Sequence, residues 1–233
     1  IMISVKKALS IINKFKFNLS TEYISPEKAI GRVTSENICS KTDNPPFNMS
    51  AMDGYAVCNK AKNKIYKVVD EVFAGESSGI KLFKNEAVRV YTGSKLPKNT
   101  ISVIVQEKTR LLDKNLIRFT GDFKKGEYIR KKGFDFKKNK NVISKGTLLS
   151  SRDIGLLISA NCKKIKVYKK PRISILSTGN ELILSQENKK DGNIFASSLY
   201  MLDALVNLSF SDCIYKTIVK DDKQNIKKEL NKV

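Results

Sequence analysis

The hydrophobic and polar positions divide the chain into regions of different texture. Residues 4–18 carry apolar side chains on one helical face with lysines between them, which predicts an amphipathic helix. Ser25 and Pro26 suit the N-cap and the first helical position of a short helix. Residues 32–38 alternate enough to predict a strand, so the chain opens with helical segments and then turns to β structure.

From residue 55 to residue 120 the chain consists of short β-prone runs separated by turn residues. This spacing predicts a small all-β module. A further strand-like run follows, and Ser151 then suits the N-cap of a helix that extends to about residue 160. We expect the strands of this region over residues 65–73, 87–92, 102–106, 116–119 and 143–149.

After Pro171 the pattern changes again, to a strand, a long connection, a helix, a second strand and a final helix that opens at Asp221-Asp222. This order implies two parallel strands joined by a right-handed crossover. The connection is long enough to suggest a functional role. We expect the strands over residues 172–177 and 212–219, the connection over 178–196 and the helix over 197–208.

Two carboxylates follow the two parallel strands of this region. Because open α/β sheets bind ligands beyond the carboxyl ends of their strands, Glu181 and Asp221 are expected on one rim. Thr178-Gly179 at the end of the first strand adds a hydroxyl and an amide, a combination that suits an anion beside a divalent cation. The alternatives are that Glu181 pairs with a neighbouring lysine and that Asp221 caps the last helix.

The composition is that of an ordinary globular protein with an unusually high positive charge. The chain has 233 residues, 41% of them hydrophobic, which allows one large domain or two to three small ones. The net charge of +21 invites a nucleic-acid interpretation. Only seven of the 44 basic residues are Arg, however, and lysine is spread over every segment, which favours a solvated surface without nucleic-acid binding.

The absence of histidine narrows the possible chemistry. With His 0, the chain cannot form a His-dependent triad, a His-ligated zinc site or an imidazole acid–base pair. The four cysteines have no metal-ligand spacing, which predicts free thiols in a reduced cytoplasm. No apolar run approaches the roughly 18 residues that a membrane span requires, so we expect no membrane partner.

Residues 45–57 concentrate more constrained residue types than any other stretch. Two prolines impose an extended entry, Asp53-Gly54 is a tight-turn pair, and the residues after it resemble the start of a strand. We expect a stiff loop that presents the Asp53 carboxylate at a defined point. The alternative is that Asp53 caps its own turn.

Two other loops carry groups that suit an anion. Thr92-Gly93, at a strand end, would offer exposed backbone N–H groups and a hydroxyl to an oxyanion, although a plain β-turn explains the same residues. Arg130 and two lysines, bracketed by glycines, could cradle phosphate. A solvated lysine-rich loop explains that segment equally well.

These segments together resemble the molybdopterin molybdenumtransferase family, which includes bacterial MoeA and the E domain of gephyrin. The resemblance covers the chain from the first helix to the last residue, and the run from Ser50 to Ala56 is its most specific part. The matching segments are Gly31-Arg32-Val33, Pro46 to Val57, Ala74-Gly75, Val90 to Pro97, Val105-Gln106-Glu107, Ile129 to Asp135 and Ser177 to Leu182.

The resemblance implies a multi-domain α/β plus β fold. It would combine an elongated connecting domain over residues 23–46 and 137–168 with an inserted β module over 47–136. Residues 169–233 would begin a parallel, MogA-like, molybdopterin-binding α/β domain, and the helix of residues 1–22 would pack on that domain.

The resemblance also implies an activity, namely insertion of molybdate into adenylated molybdopterin with release of AMP. Mg²⁺ would be the cation, and the site would be shared between the subunits of a cytoplasmic homodimer, with the molybdopterin adenylyltransferase as a further partner. The implied catalytic residues are Asp53, Glu181 and Asp221, the last two also as metal ligands. The implied substrate-binding residues are Thr92, Arg130, Asp135, Thr178, Gly179 and Ser198.

The chain departs from the family pattern at three places. Asn180 stands where an acidic residue is common, and Ala196-Ser197-Ser198 replaces a D-[ST]-N pattern. The chain stops at Val233, before the family's S-G-G-V-S-x-G and P-G-K-P segments, so we expect residues 1–233 alone to have little or no activity. Two alternatives stay open: a non-catalytic gephyrin-like scaffold or degenerate paralogue, and a basic nucleic-acid-binding protein.

Overall fold

A computed structural model describes residues 3–15, 17–76, 79–185 and 189–233. Residue 16 of the predicted first helix and residues 186–188 of the predicted long connection lie outside this description. The chain forms two compact units. The α/β unit comprises Ile1–Glu36, Lys145–Ile154 and Lys164–Val233, and the sheet unit comprises Asn37–Ser144 and Gly155–Lys163. Within the described ranges, no helix combines the length and the apolar character that crossing a bilayer would require.

The helices are α1 (Val5–Ile12), α2 (Ser151–Ser159), α3 (Ser197–Leu208) and α4 (Lys223–Leu230). The strands from β1 to β8 are Thr21–Ile24, Ile38–Cys39, Met49–Ser50, Gly54–Val57, Ile65–Val72, Glu86–Val90, Ser102–Val105 and Thr109–Asp113. The strands from β9 to β16 are Leu116–Phe119, Ile129–Arg130, Asn141–Ile143, Ile165–Tyr168, Arg172–Thr178, Leu182–Ile183, Ile194–Phe195 and Asp212–Val219.

The sheet unit is built on a mixed six-stranded sheet in the order β7-β4-β6-β5-β9-β8. Strands β5 and β6 run parallel, and the other neighbours are antiparallel. Successive side chains point to opposite faces, and both faces bury apolar residues. One face packs around Tyr66 and Ile104, and the other packs around Val88 and Val90. The prediction of short strands separated by turns over residues 55–120 is confirmed, and β8 is an additional strand that was not predicted.

Gly54 is required by close packing of two strands. The residue opens β4, opposite Val90 on one side and Val105 on the other, so the expected tight turn at Asp53-Gly54 is not formed. A Cβ at residue 54 would lie 2.1 Å from the carbonyl oxygen of Ile104, which any side chain would have to displace. The glycine therefore allows β7 to approach β4 closely at the point where the chain leaves the loop of residues 45–53.

In the α/β unit, β13 and β16 form a parallel pair, and α3 lies between them in the chain. The bounds of α3 and β16 are those predicted, and β13 extends one residue further, to Thr178. Ile175 and Leu199 are buried together where the helix packs on the strands. The long connection contains a short parallel pair, β14 and β15, and the predicted strand–helix–strand–helix order is confirmed.

Two of the predicted elements near the start of the chain differ from the structure. Helix α1 ends at Ile12 and not at residue 18. The segment of residues 32–38 is not a continuous strand, because Val33 pairs with Leu148 whereas Thr34 pairs with Val167. The polar Arg32 in this segment is buried, and not exposed as a strand pattern would suggest. Its guanidinium donates to the Glu22 carboxylate and to the carbonyl of Tyr168.

The segment before α2 also differs in detail from the prediction. Strand β11 ends at Ile143, and residues 144–149 continue without forming a further strand. Ser151 is already helical, and Ser150 is the residue that precedes the helix. Its backbone N–H and its hydroxyl both donate to the Asp153 carboxylate, which satisfies donors at the helix start.

Candidate functional site

Asp53 in the sheet unit is held by the loop that follows β6. Its Oδ1 accepts a hydrogen bond from the Thr92 N–H at 2.8 Å and another from the Thr92 hydroxyl at 2.9 Å. Its own carbonyl accepts from the Gln106 N–H at 3.2 Å. The alternative in which Asp53 caps its own turn is therefore wrong, since the carboxylate joins two loops that are 39 residues apart.

These contacts keep the Asp53 carboxylate ionised. The Thr92 N–H, followed by the Thr92 hydroxyl, lowers the pKa of Asp53 below its ordinary value, and the Arg89 guanidinium adds a smaller effect. Arg89 was not among the predicted residues. Its guanidinium carbon lies 4.8 Å from the centre of the Tyr55 ring and 5.2 Å from that of Tyr91, and it donates to the Gln106 side chain. The only signal for it is the strand register, which places Arg89 opposite Tyr55.

The Thr92-Gly93 turn does not offer free amides. The Gly93 N–H donates to the carbonyl of Ser50, and the Ser94 N–H donates to the carbonyl of Tyr91. With the Thr92 N–H bound to Asp53, the predicted set of exposed backbone donors is absent from this turn. The β-turn alternative fits the backbone better. Thr92 holds the Asp53 carboxylate through its N–H and its hydroxyl.

Arg130 and Asp135 come together as an ion pair. The Nη2 of Arg130 lies 2.6 and 2.8 Å from the two carboxylate oxygens, and the Asn44 side chain donates to the same carboxylate at 3.2 Å. Pairing of β10 with β3 fixes the start of this loop. About 45% of the Arg130 side chain is exposed, so its remaining N–H donors can reach an anion in solution.

In the α/β unit the ends of β13 and β16 are joined across the rim. Thr178 lies opposite Val219 in the register, and the Gly179 N–H donates to the Val219 carbonyl at 3.1 Å. The Asn180 Oδ1 accepts from the Asp221 N–H at 3.2 Å. The loops that carry Glu181 and Asp221 thus leave adjacent parallel strands and are bonded to each other, which confirms the predicted shared rim.

Gly179 makes room for the Glu181 carboxylate. A Cβ at residue 179 would lie 2.7 and 2.9 Å from the two carboxylate oxygens of Glu181, so this side chain lies over the backbone of the glycine. The main chain of Glu181 is fixed separately, because its carbonyl accepts from the Ile194 N–H and from the Asn193 side chain.

Asp221 is not the cap of the last helix. Asp222 is the N-cap of α4 and accepts from the Asn225 N–H at 2.9 Å, so the capping alternative applies to the neighbouring residue. Across residues 3–15, 17–76, 79–185 and 189–233, neither the Glu181 nor the Asp221 carboxylate forms a hydrogen bond or an ion pair. The lysine-pairing alternative for Glu181 therefore finds no partner in the described chain.

Ser198 occupies the first turn of α3. Its side chain is exposed, and the preceding N-cap residue, Ala196, has no side-chain hydrogen bond to the helix. The D-[ST]-N pattern would supply a capping carboxylate before the helix, so its replacement leaves the first turn without a side-chain acceptor. The Ser198 side chain is therefore accessible, and it forms no hydrogen bond with the rim residues in the described part of the chain.

The oxygen donors on the rim suit a hard divalent cation. The described ranges contain no group of three or more carboxylate, thiol or imidazole side chains that could hold a metal by themselves. Glu181 and Asp221 supply two free carboxylates, and Mg²⁺ typically takes one or two carboxylates together with water and phosphate oxygens. The residues present therefore fit Mg²⁺ that is bound jointly with a phosphate-bearing ligand.

Comparison with known proteins identifies a family that matches this chain. A family model described as "MoeA N-terminal region (domain I and II)" matches residues 3–161, which is more than half of the chain. The chain belongs to this family. The match includes the Asp53, Thr92, Arg130 and Asp135 loops but ends before the rim of the α/β unit.

Curated relatives and solved structures extend the similarity over nearly the whole chain. A molybdopterin molybdenumtransferase of Nostoc sp. is 32% identical over 220 residues, covering 91% of this chain and 50% of the relative. One from Haemophilus influenzae is 29% identical, covering 97% of this chain and 57% of the relative. The chain thus spans about half the length of these two relatives.

A crystal structure of the molybdopterin biosynthesis MoeA protein from Pyrococcus horikoshii matches with a TM-score of 0.87 at 31% identity. The match covers 97% of this chain and 62% of that chain. At this identity and score, the α/β fold of the present chain is that of the Pyrococcus protein over the matched part.

Proposed function

We propose that the protein acts in molybdenum cofactor biosynthesis and inserts molybdate into adenylated molybdopterin, with release of AMP. Membership of the family and similarity to molybdopterin molybdenumtransferases support this activity. The observation that carries it is the pair of carboxylates Glu181 and Asp221, which have no bonds in the described part of the chain and lie on loops that the Asn180–Asp221 hydrogen bond joins. Such a pair is suited to hold a cation beside a phosphate anhydride.

In this proposal the rim residues bind and orient the adenylate end of the substrate. Glu181 and Asp221 would hold Mg²⁺, which when bound neutralises phosphate charge and favours attack at phosphorus. Thr178 and Ser198 would donate hydroxyl hydrogen bonds to the anion. Gly179 would contribute by its missing side chain, which leaves room for the Glu181 carboxylate.

The sheet-unit residues would also bind the anionic substrates. Asp53, held ionised by Thr92, could order a water molecule or accept a proton at its second oxygen, Oδ2. Arg130 would direct its remaining N–H donors to molybdate or phosphate while Asp135 orients its guanidinium. The protein would work as a cytoplasmic homodimer, with Asp53 of one copy facing the rim of the other, and would receive substrate from the molybdopterin adenylyltransferase.

The finer domain division belongs to the same proposal. Residues 23–46 and 137–168 would form the connecting domain, and residues 47–136 the inserted β module. Residues 169–233 would begin a MogA-like molybdopterin-binding domain, on which the helix of residues 1–22 would pack. The parallel pairing of β13 with β16 supports this assignment for the last segment.

A second candidate is a non-catalytic scaffold of the gephyrin type. The α3 N-terminus favours it, because Ala196 supplies no side-chain cap where the family pattern has a carboxylate. The retained Asp53–Thr92 bond and the free rim carboxylates favour the enzyme.

The proposed activity is tested by AMP release from adenylated molybdopterin in the protein that carries these residues. We expect release to require both molybdate and Mg²⁺, and Glu181→Gln to lower the rate by about a hundredfold through loss of a metal ligand. Glu36→Gln removes an equally exposed carboxylate without a role at the rim, and should leave the rate unchanged. Absence of molybdate-dependent AMP release in the unmodified protein would favour the scaffold, and a normal rate in Glu181→Gln would remove the rim from the mechanism.

A further inference from the structure

The sheet unit contains two open grooves of similar size and different charge. One, of about 430 Å³, is lined by acidic Asp70 and Glu71 as well as basic Arg89 and Lys114. The other, of about 410 Å³, is lined by Lys95, Lys98 and Lys132, and no carboxylate occurs among its described lining residues. We call this second cavity the Lys95 groove. Its positive charge is a local property, since the other groove of the same sheet unit carries both signs.

The floor of the Lys95 groove is apolar and includes an aromatic ring. Leu96 and Pro97 are buried beneath it, and Phe47 is half-buried at its side. The Lys95 ammonium lies 5.8 Å from the centre of the Phe47 ring. A positive charge and an aromatic surface therefore lie next to each other within a single cavity.

Hydrogen bonds between distant segments fix the walls of the groove. The Leu96 N–H donates to the Asn48 carbonyl at 3.0 Å, and the Lys132 N–H donates to the Asn48 side-chain oxygen at 2.9 Å. Asn48 thus bonds its own segment to the two other segments that form the cavity. A cavity with walls fixed in this way loses little conformational entropy when a ligand binds.

The lysines differ in how far their charge is already neutralised. The Lys132 ammonium lies 3.3 Å from the Asp43 carboxylate. Lys95 and Lys98 have no carboxylate partner anywhere in the described ranges. Two ammonium groups therefore remain available to an anion at this cavity.

We propose that the Lys95 groove binds a nucleoside monophosphate. The base would pack against Phe47 and the apolar floor, and the phosphate would lie between the Lys95 and Lys98 ammonium groups. A volume of about 410 Å³ suits a ligand of this size, and the site has the apolar surface with a few placed polar groups that such ligands use. The proposed site is separate from the rim, since none of the rim residues lines it, although AMP is also the product that the proposed reaction would release.

The test is calorimetric titration of the chain with AMP, adenosine and inorganic phosphate, without molybdate or Mg²⁺. We expect a saturable AMP site whose affinity is unchanged in Glu181→Gln. This affinity should be about tenfold higher than for either half of the ligand, because each half makes only one kind of contact. Lys95→Met with Lys98→Met should weaken AMP by about tenfold or more. Phe47→Leu should weaken AMP and leave phosphate unchanged.

The control removes the same charge elsewhere on the sheet unit. Lys62 and Lys67 are exposed and do not line the groove, so Lys62→Met with Lys67→Met should change AMP affinity by less than about twofold. An equal loss in the control pair, phosphate binding as tight as AMP, or no saturable AMP binding would each overturn the proposal. Because the measurement involves neither molybdate nor the rim carboxylates, its failure is distinct from failure of the proposed enzyme activity.

Discussion

Within the described residues, the candidate carboxylates of the sheet unit are hydrogen-bonded, whereas those of the α/β unit are not. In the sheet unit, Asp53 is bonded to Thr92, and Asp135 is bonded to both Arg130 and Asn44. In the α/β unit, Glu181 and Asp221 are exposed and carry no such bonds within the described ranges. A carboxylate that already accepts hydrogen bonds holds loops in place, and only its remaining lone pairs are available to a substrate. Carboxylates whose lone pairs are free can coordinate a cation.

The difference has a local structural origin. The turn after β6 points an N–H and a hydroxyl of the same residue, Thr92, at Asp53. On the rim of the α/β unit, the Asp221 N–H is instead taken by the neutral amide of Asn180, and the Gly179 N–H is taken by Val219. The backbone donors of the rim are thus used to join the loops, and the carboxylates stay available.

The largest expected effect comes from replacing a free carboxylate. Asp221→Ala should lower Mg²⁺ affinity by about a hundredfold or more, since even residues that only support metal ligands are worth about 10- to 100-fold. Thermal stability should stay within about 0.5 kcal/mol of the original, because the Asp221 side chain has no bond to lose. Magnesium titration by calorimetry in the presence of the phosphate-bearing substrate measures the affinity, and thermal unfolding by circular dichroism measures the stability.

Asp222→Ala is the matched control, one residue along the chain. It removes the N-cap of α4 and should cost about 1 kcal/mol of stability while leaving Mg²⁺ affinity unchanged. If the two neighbouring variants exchanged these effects, the division between a free ligand and a bonded cap would be wrong.

A smaller effect is expected for a carboxylate that is already bonded. Asp135→Ala leaves the Arg130 guanidinium and the Asn44 amide without their acceptor, and should lower stability by about 1 kcal/mol because the pair is partly exposed. Denaturant unfolding measures the change. Asp191→Ala, which removes an exposed carboxylate without a bond in the described part of the chain, should have no measurable effect. Equal losses in both variants would show that the Arg130–Asp135 pair contributes nothing specific.

The smallest expected effect is a change in titration. Thr92→Val keeps the backbone donor and removes the hydroxyl donor, so the lowered pKa of Asp53 should rise part of the way toward its ordinary value. The stability that the ionised Asp53 contributes is present above its unfolded-state pKa and is lost as the pH falls through the lower folded-state pKa. In Thr92→Val this loss should be smaller and should be complete at a higher pH. Carbon-13 NMR titration of the Asp53 carboxyl group would measure its pKa, and an unchanged pKa would mean that the hydroxyl bond has no role.

The sequence predicted the parts of the fold that depend on local patterns. The predicted bounds of helix α3 and strand β16 were correct at both ends. The rim followed from a general rule about parallel strands and needed only the order of the elements. The predicted strand over residues 32–38 failed because Arg32 is buried through an ion pair with Glu22, which alternation cannot distinguish from an exposed polar position.

The partners of the candidate residues could not be predicted from local patterns. The Asp53–Thr92 bond and the pairing of β3 with β10 join segments that are distant in sequence, and a single chain gives no signal for such pairing. Arg89 could not be predicted for the same reason, since only the register of β4 with β6 places it beside Tyr55. The prediction located the chemical groups, whereas the structure shows which of them are already engaged.

The discontinuity of the α/β unit has a consequence for synthesis on the ribosome. The sheet unit is complete once residue 163 has emerged, whereas the α/β unit still lacks both of its parallel strands at that point. Residues 1–36 must therefore wait for the last third of the chain, while the sheet unit can fold beside them. A nascent chain stalled at that length should resist proteolysis in its middle and remain sensitive at its beginning.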